Sequence, residues 1–330
     1  MQIIDGELVR SELTKNAKGG SEIIMERLYN SFPKETFKGY QIINSRIDGE
    51  LREDLCRVLI LHDLPDDPAS HHLGNDGWNK FQKLVFVSNW QMQQYISYYR
   101  IPWDRCIVIQ NSIVPIDNKD KPNQPIRLAY WSTPHRGLDL LVPVFEKLLE
   151  KHSDIILDVY SSFNLYGWPE RDKEFKELFD RCEANPSINY FGSVSNKVIR
   201  ERIKAVNILA YPSTWPETSC IVLMEAMSAG VACVHSNYAA LSETAANWTF
   251  MYQYADDKRT HANRFYGVLD TIIENYNDPS IQARIQGAKQ YADIFYSWDK
   301  RKNEWAAFLN SDIKNHPKSF EKSYITFKTS

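Results

Sequence analysis

The sequence predicts an α/β protein built from two doubly wound parallel sheets in series. Three observations carry that expectation. Short runs rich in Val, Ile and Leu alternate with helical patterns, the alternation breaks once at a proline-rich stretch, and it then restarts. A length of 330 residues also suits two domains of ordinary size better than a single core.

In the first half, "YQIIN" (Tyr40–Asn44), "RVLILHD" (Arg57–Asp63), "KLVFVSN" (Lys83–Asn89) and "CIVIQN" (Cys106–Asn111) are aliphatic runs ended by polar or turn residues. Each is expected to be a buried strand. "SEIIMERLYNSF" (Ser21–Phe32) and "NWQMQQYISYY" (Asn89–Tyr99) are the helices between them. "SIVPIDNKDKPNQPI" (Ser112–Ile126) holds three prolines and no sustained period, and reads as a linker. Beyond it, "IRLAYWS", "IILDVYS", "INYFG", "NILAYPS" and "VACVHS" (Val231–Ser236) are the strands. "GLDLLVPVFEKLLEKH", "KEFKELFDRCEA" and "KVIRERIKA" are the helices among them. Ligands of such sheets bind at the carboxyl ends of the strands.

Composition narrows the class. With 43% hydrophobic and 25% charged residues the chain reads as globular, and a net charge of -3 gives no electrostatic reason for nucleic acid as a main partner. No apolar run approaches the ~20 residues of a membrane span. The opening "MQIIDGELVR" lacks the apolar core of a secretory leader. Five widely spaced cysteines, none in a C-x-x-C pair, argue against a disulfide framework and a structural zinc. They fit a reducing cytoplasm, which is the expected location. His71 and His72 have no third ligand at metal-binding spacing and are read as residues of a solvated loop.

The chemistry concentrates in "STWPETSCIVLMEAMSAG" (Ser213–Gly230). The strand "NILAYPS" leads through "TWPET" into a helix expected to run to Gly230, with Thr218 or Ser219 as its N-cap. The open amides and dipole of such a helix start form an anion site, and Glu217 stands just ahead of it. Glu225 is expected about two turns in, among Leu223, Met224, Ala226 and Met227. An unpaired charge there is expensive. Either a lysine or arginine or the vicinal hydroxyls of a ligand would serve as its partner.

The run "PSTWPETSCIVLMEAMSAGVACV" resembles the E-x7-E signature of retaining GT-B glycosyltransferases, the family 4 group in particular. The resemblance extends to "GGSE" (Gly19–Glu22), "FVSNW" with "IVIQNSI", "RGLDLL" (Arg136–Leu141), "INYFGSVS", "LSET" (Leu241–Thr244) and the terminal "YSWDKRKNEWAAFL". It implies two Rossmann-like domains facing each other across a cleft. Residues 1–118 would form the acceptor-side domain and 119–297 the nucleotide-sugar domain. Helix 298–312 would cross back onto the first domain, and 313–330 would be a tail. Ser112–Ile126 and Phe295–Ser297 would be the hinge strands.

What the resemblance implies for function is equally definite. The reaction would retain anomeric configuration, need no metal or resident cofactor, and use a nucleotide-sugar such as a UDP- or GDP-sugar as co-substrate. The acceptor would be a glycan, a lipid-linked sugar or a small molecule. Glu225 would hold ribose hydroxyls, Glu217 would contact the donor sugar, and the amides of Ser219, Cys220 and Ile221 would meet sugar or phosphate. Arg136 would stabilise the leaving diphosphate, where charge develops. Gly19 and Gly20 would let the backbone approach the donor phosphate or the acceptor, and the loop Gly192–Ser195, Val194 included, would read the base. His62, past a strand end, would lie near the reacting sugar. One departure stands out. Many relatives carry a second basic residue a few positions before Arg136, where this chain has Trp131, Ser132 and Thr133, and the hydroxyls of Ser132 and Thr133 would take its place on phosphate.

Two other readings share this fold. One is a catalytically degenerate carbohydrate-binding or assembly subunit, favoured by the missing basic residue. The other is a nucleotide-sugar epimerase or a phosphorylase; a phosphorylase should show a lysine that carries pyridoxal phosphate, and none is indicated. "NWQMQQYISYYRIPW" is aromatic and amphipathic but weakly basic, so a core helix is favoured over a peripheral membrane contact. Neither the oligomeric state nor the acceptor is legible.

Overall fold

The computed structural model describes residues 1–10, 19–117, 121–122 and 124–315. Parts of the linker, at 118–120 and 123, and the tail from 316 onward lie outside the described residues.

The first sheet contains β1 (Gln2–Ile4), β2 (Glu7–Val9), β3 (Tyr40–Asn44), β4 (Cys56–Leu61), β5 (Lys83–Phe86) and β6 (Cys106–Val108), in the order β2-β1-β3-β4-β5-β6. Strands β3 to β6 are parallel. The expectation of a wholly parallel sheet is corrected at one edge, where β1 runs antiparallel to both β2 and β3. The cause is the Asp5–Gly6 turn, an Asp-Gly pair of the kind that closes two-residue hairpins. Alternation along the strands explains how both faces are covered. Val58 and Ile60 of β4 join a core with Met25 and Leu28 of α1 (Gly20–Asn30). Leu59 and Leu61 point to the other face, toward Met92 and Tyr95 of α2 (Asn89–Tyr99). The last long helix, Trp298–Leu309, places Trp305, Phe308 and Leu309 in the α1-side core of this first sheet.

The second sheet is wholly parallel. It contains β7 (Ile126–Trp131), β8 (Ile155–Tyr160), β9 (Ile188–Tyr190), β10 (Ile208–Tyr211), β11 (Ala232–Ser236) and β12 (Phe250–Tyr252), in the order β12-β11-β10-β7-β8-β9. Helices α3 (Leu138–Leu149), α4 (Lys176–Ala184), α5 (Asn196–Arg202), α6 (Ile221–Ser228), α7 (Leu241–Ala245), α8 (Lys258–Glu274) and α9 (Pro279–Phe295) surround it, and Trp298–Leu309 is α10. Strand β12 and helices α8 and α9 lie beyond the elements the sequence pattern delineates.

The two chain crossings between the sheets are bonded to each other. The Ile113 amide donates to the Tyr296 carbonyl at 2.8 Å, and the Trp298 amide donates back to the Ile113 carbonyl at 2.8 Å. A second link joins α7 to α2. Glu243 accepts from the amides of Asn89 and Trp90, both at 2.9 Å, and from the side chains of Asn89 at 3.0 Å and Gln110 at 3.2 Å. A carboxylate there complements the positive end of α2.

His71 and His72 lie in a short 3-10 helix, Pro68–Leu73, rather than an open loop, and His72 Nδ1 is 2.8 Å from the Ala69 carbonyl. Asp67 drives this turn by accepting from the Ala69 amide. Among the described residues no helix is long and apolar enough to cross a membrane.

Candidate active site

Strands β7 and β10 are neighbours at the point where the chain order of the second sheet reverses, which is where α/β sheets open a crevice. Beyond β7 come Ser132, Thr133 and a 3-10 turn, Pro134–Arg136. Gly137 follows with φ 110°, and a Cβ there would lie 2.2 Å from the Pro212 carbonyl oxygen. Only glycine allows that approach. The approach seats the turn after β7 on the turn after β10, and so brings Arg136 to Glu217.

Arg136 Nη1 stands 2.7 Å from Glu217 Oε1, and the Tyr211 hydroxyl donates to the same oxygen at 2.6 Å. Glu217 is only 5% exposed, so it is not a solvated loop acid. Burial opposes the Arg136 charge, yet the Glu217 carboxylate beside it helps hold its pKa well above the ordinary value. Arg136 is therefore a permanent cation. Ser132 Oγ lies 3.5 Å from the Tyr211 hydroxyl. Thr133 is buried with its Oγ1 unpartnered, while its carbonyl accepts from the Tyr130 hydroxyl at 2.7 Å.

Helix α6 is shorter at both ends than the sequence predicts. Cys220 takes the cap position with extended backbone and no side-chain bond to the first turn. Thr218 does not cap, because its hydroxyl donates to the His62 carbonyl at 2.7 Å, on the other side of the cleft. Ser219 does not cap either, since the helix begins only at Ile221. Glu225 is consequently the fifth helical residue, a little over one turn in instead of two.

Glu225 is 5% exposed and has a protein partner. Arg200 Nη1 lies 2.8 Å from its Oε1, and Asn196 Nδ2 lies 3.5 Å from each oxygen. Of the partners open to it in the sequence, an arginine is present. Arg200 also donates to the Val114 carbonyl at 2.7 Å, which ties Glu225 to the chain crossing between the domains. Asn196 and Arg200 sit on α5, directly after the Gly192–Ser195 loop, where Val194 packs against the second core.

From the first domain, Gly19 caps α1 and Gly20 opens it. A Cβ on Gly20 would come within 2.8 Å of Ile221 Cδ1, so the glycine pair and the start of α6 face each other. The first amides of α6 have no helical acceptor, and the helix start lies beside the glycine pair. His62 follows β4 with Nε2 buried and unpartnered, and burial lowers its pKa to about 4. Its imidazole is neutral near pH 7.

The structure thus gathers Arg136, Glu217, Ser132, Gly19, Gly20, the 219–221 turn and His62 around one cleft, with Glu225 deeper in the second domain; Thr133, expected on phosphate, is instead buried with its hydroxyl closed off. Several neighbours carry no sequence signal that selects them. Tyr211 is one aromatic in a strand, and Arg200 is one of several basic residues on α5. His135 stacks on Phe163 at 5.2 Å and meets Trp215 edge-on at 4.9 Å. Burial, and then Arg136 and Arg171, lower its pKa to about 4.

Among the described residues, one group has metal-ligating side chains close together: His152, Asp270 and Glu274. Lys151 Nζ occupies it, 2.9 Å from Asp270 and 2.5 Å from Glu274, which makes it an ion-pair cluster.

No curated protein matches the sequence. Among solved structures, a glycosyltransferase from Rickettsia africae ESF-5 is similar at TM-score 0.64 and 18% identity, over 92% of this chain and 83% of that one. Anabaena HepE, solved in complex with UDP-glucose, is similar at TM-score 0.60 and 17% identity, over 77% of this chain and 71% of that one. Sucrose-phosphate synthase from Thermosynechococcus elongatus is similar at TM-score 0.59 and 13% identity, over 77% and 67%. Residues 125–279 match the family model described as glycosyl transferases group 1, from β7 to the start of α9. The chain has the GT-B fold, two Rossmann-like α/β domains, and its second domain matches glycosyl transferases group 1.

Proposed function

We propose that this chain is a retaining, family 4-type glycosyltransferase that moves a sugar from a nucleotide-diphosphate-sugar to a glycan acceptor. The observation that supports this most is the Arg136–Glu217 pair at the β7/β10 crevice, beside the start of α6 and opposite Gly20. A cation, an acid and open amides in one crevice suit a sugar diphosphate, which offers phosphate oxygens and hydroxyls together. The complex of HepE with UDP-glucose makes a UDP-sugar the first donor to try.

In this reading Arg136 passes from Glu217 to the diphosphate as the C1–O bond breaks and its electron pair goes to the phosphate oxygen. Positive charge placed there matters most in the transition state. Glu217, released from Arg136, takes hydroxyls of the donor sugar, and Glu225 exchanges Arg200 for the ribose hydroxyls. The acceptor hydroxyl attacks C1 on the face the diphosphate leaves, and its proton passes to the phosphate. Neither an enzyme nucleophile nor a metal ion takes part. His62, neutral and with Nε2 unpartnered, hydrogen-bonds a sugar hydroxyl.

The test is release of free nucleoside diphosphate from UDP-, GDP- and ADP-sugars, with and without EDTA, by wild type, Arg136→Ala and Glu225→Ala. The expected result is release from one donor, indifferent to EDTA, and lower by about 100-fold in Arg136→Ala. A binding or assembly subunit is the second reading, favoured by the fact that both signature carboxylates already hold arginines. Absence of release and of any thermal shift across the donors would leave that reading standing.

A further inference from the structure

Between β8 and α4 runs "SSFNLYGWPERDKEF" (Ser161–Phe175), with four aromatic residues. Asp172 locks the segment by accepting from the Ser162 hydroxyl and, at 2.7 Å, from the Phe163 amide. Arg171 covers the rings of Phe163 at 4.2 Å and Trp168 at 5.8 Å. Tyr166 is therefore presented from an ordered turn, against Trp168 at 5.7 Å.

Tyr166 belongs to the second domain but reaches the first. A Cβ on Gly19 would lie 2.8 Å from Glu22 Oε2 and 3.2 Å from Tyr166 Cε1, so an edge of the ring rests against the glycine loop, with the Glu22 carboxylate beside it. Its side chain also lies within electrostatic range of Arg136. The Tyr166 hydroxyl makes no hydrogen bond among the described residues. Tyr166 thus borders the crevice that Arg136, Glu217 and Gly20 enclose.

A diphosphate leaving group carries more than one negative charge, and Arg136 offsets one. After β7, where a second cation would be useful, the chain offers Trp131, Ser132 and Thr133. Thr133 is buried, and Ser132 is turned toward Tyr211. We propose that Tyr166 is the second side-chain donor to the leaving diphosphate, its phenol O–H hydrogen-bonding a phosphoryl oxygen beside Arg136 while its ring supports Gly19. The inference rests on the donor reading above. The broken C1–O bond leaves its electrons on the diphosphate, and the proton that arrives there comes from the acceptor.

The test compares wild type, Tyr166→Phe and Tyr166→Ala on the UDP-, GDP- and ADP-sugar panel, with calorimetric binding of UDP, GDP and ADP against their monophosphates. Tyr166→Phe keeps the ring on Gly19 and removes only the hydroxyl. It is expected to lower kcat for diphosphate release by about 10-fold or more, the range for one hydrogen bond to a charged group, with KM nearly unchanged. It should also narrow the preference for diphosphate over monophosphate, a readout that a purely structural ring would not move. Tyr166→Ala should lose both. A Tyr166→Phe enzyme equal to wild type in kcat and in that preference overturns the role of the hydroxyl and leaves the donor reading intact. A folded wild type that binds and cleaves none of the donors overturns both.

Discussion

Arg136 and Glu217, 81 positions apart in sequence, share a 2.7 Å ion pair that the Tyr211 hydroxyl joins on the same carboxylate oxygen. In the proposed reaction both residues meet the donor, and binding would trade this pair for contacts with the ligand. Glu217→Gln separates the two roles. With the pair broken, Arg136 is left as a partly buried charge, and thermal stability should fall by about 3 kcal/mol. Affinity for a nucleoside diphosphate should rise, because its cation is already free, while turnover falls. Calorimetry and thermal melts check this, and weaker diphosphate binding in Glu217→Gln would sink it.

Arg200 competes in the same way for Glu225, at 2.8 Å. In Arg200→Ala the carboxylate lacks its charged partner, so UDP should raise the melting temperature more than it does in wild type. The 2′-deoxy analogue should show no such gain. Equal shifts for the two nucleotides would mean that Glu225 does not meet the ribose.

Burial lowers the pKa values of His62, His135 and His235 to about 4 each. In the unfolded chain they titrate near 6.5. Between these values the unfolded state binds more protons, so stability must fall as pH drops from about 6.5 to about 4. Each histidine contributes a slope of up to about 1.4 kcal/mol per pH unit in that window. Urea midpoints measured from pH 7 to pH 4.5 test the trend, and His62→Asn should flatten it. A flat wild-type profile would contradict the burial of these rings.

Gly137 sets the site's geometry. Gly137→Ala places a Cβ against the Pro212 carbonyl at φ 110°. The strain of such a backbone alone is about 1–3 kcal/mol, and the clash adds to it. Arg136 should be displaced from Glu217, so activity falls with stability. A variant that melts like wild type would show that the two turns can part.

Much of this was written locally in the chain. Strand β3 and helix α2 fall on the residues their patterns predict, because a continuous aliphatic run and a helical pattern are short-range signals. The β1–β2 hairpin escapes the pattern because strands of three residues are too short to show a period. The start of α6 differs from its local pattern for another reason. Thr218 has the chemistry of a cap, but its hydroxyl bonds across the cleft to His62, and no local rule contains that partner. The motif names Arg136, Glu217 and Glu225 singly. Which arginine meets which glutamate depends on the Gly137–Pro212 contact and on the position of α5, both tertiary facts. Tyr166 has no spacing that marks it, and only the folded chain sets it against Gly19.

The contact between Glu243 and the start of α2 carries a consequence for engineering. A helix of one domain is finished by a carboxylate of the other, and Trp305 near the chain's end fills the core of its beginning. Neither half is a self-sufficient cassette. A chimera that replaces residues 125–279 must bring an acid to the place of Glu243 or leave the amides of Asn89 and Trp90 to water. The intact chain should unfold in a single calorimetric transition, with heating reaching both sheets together.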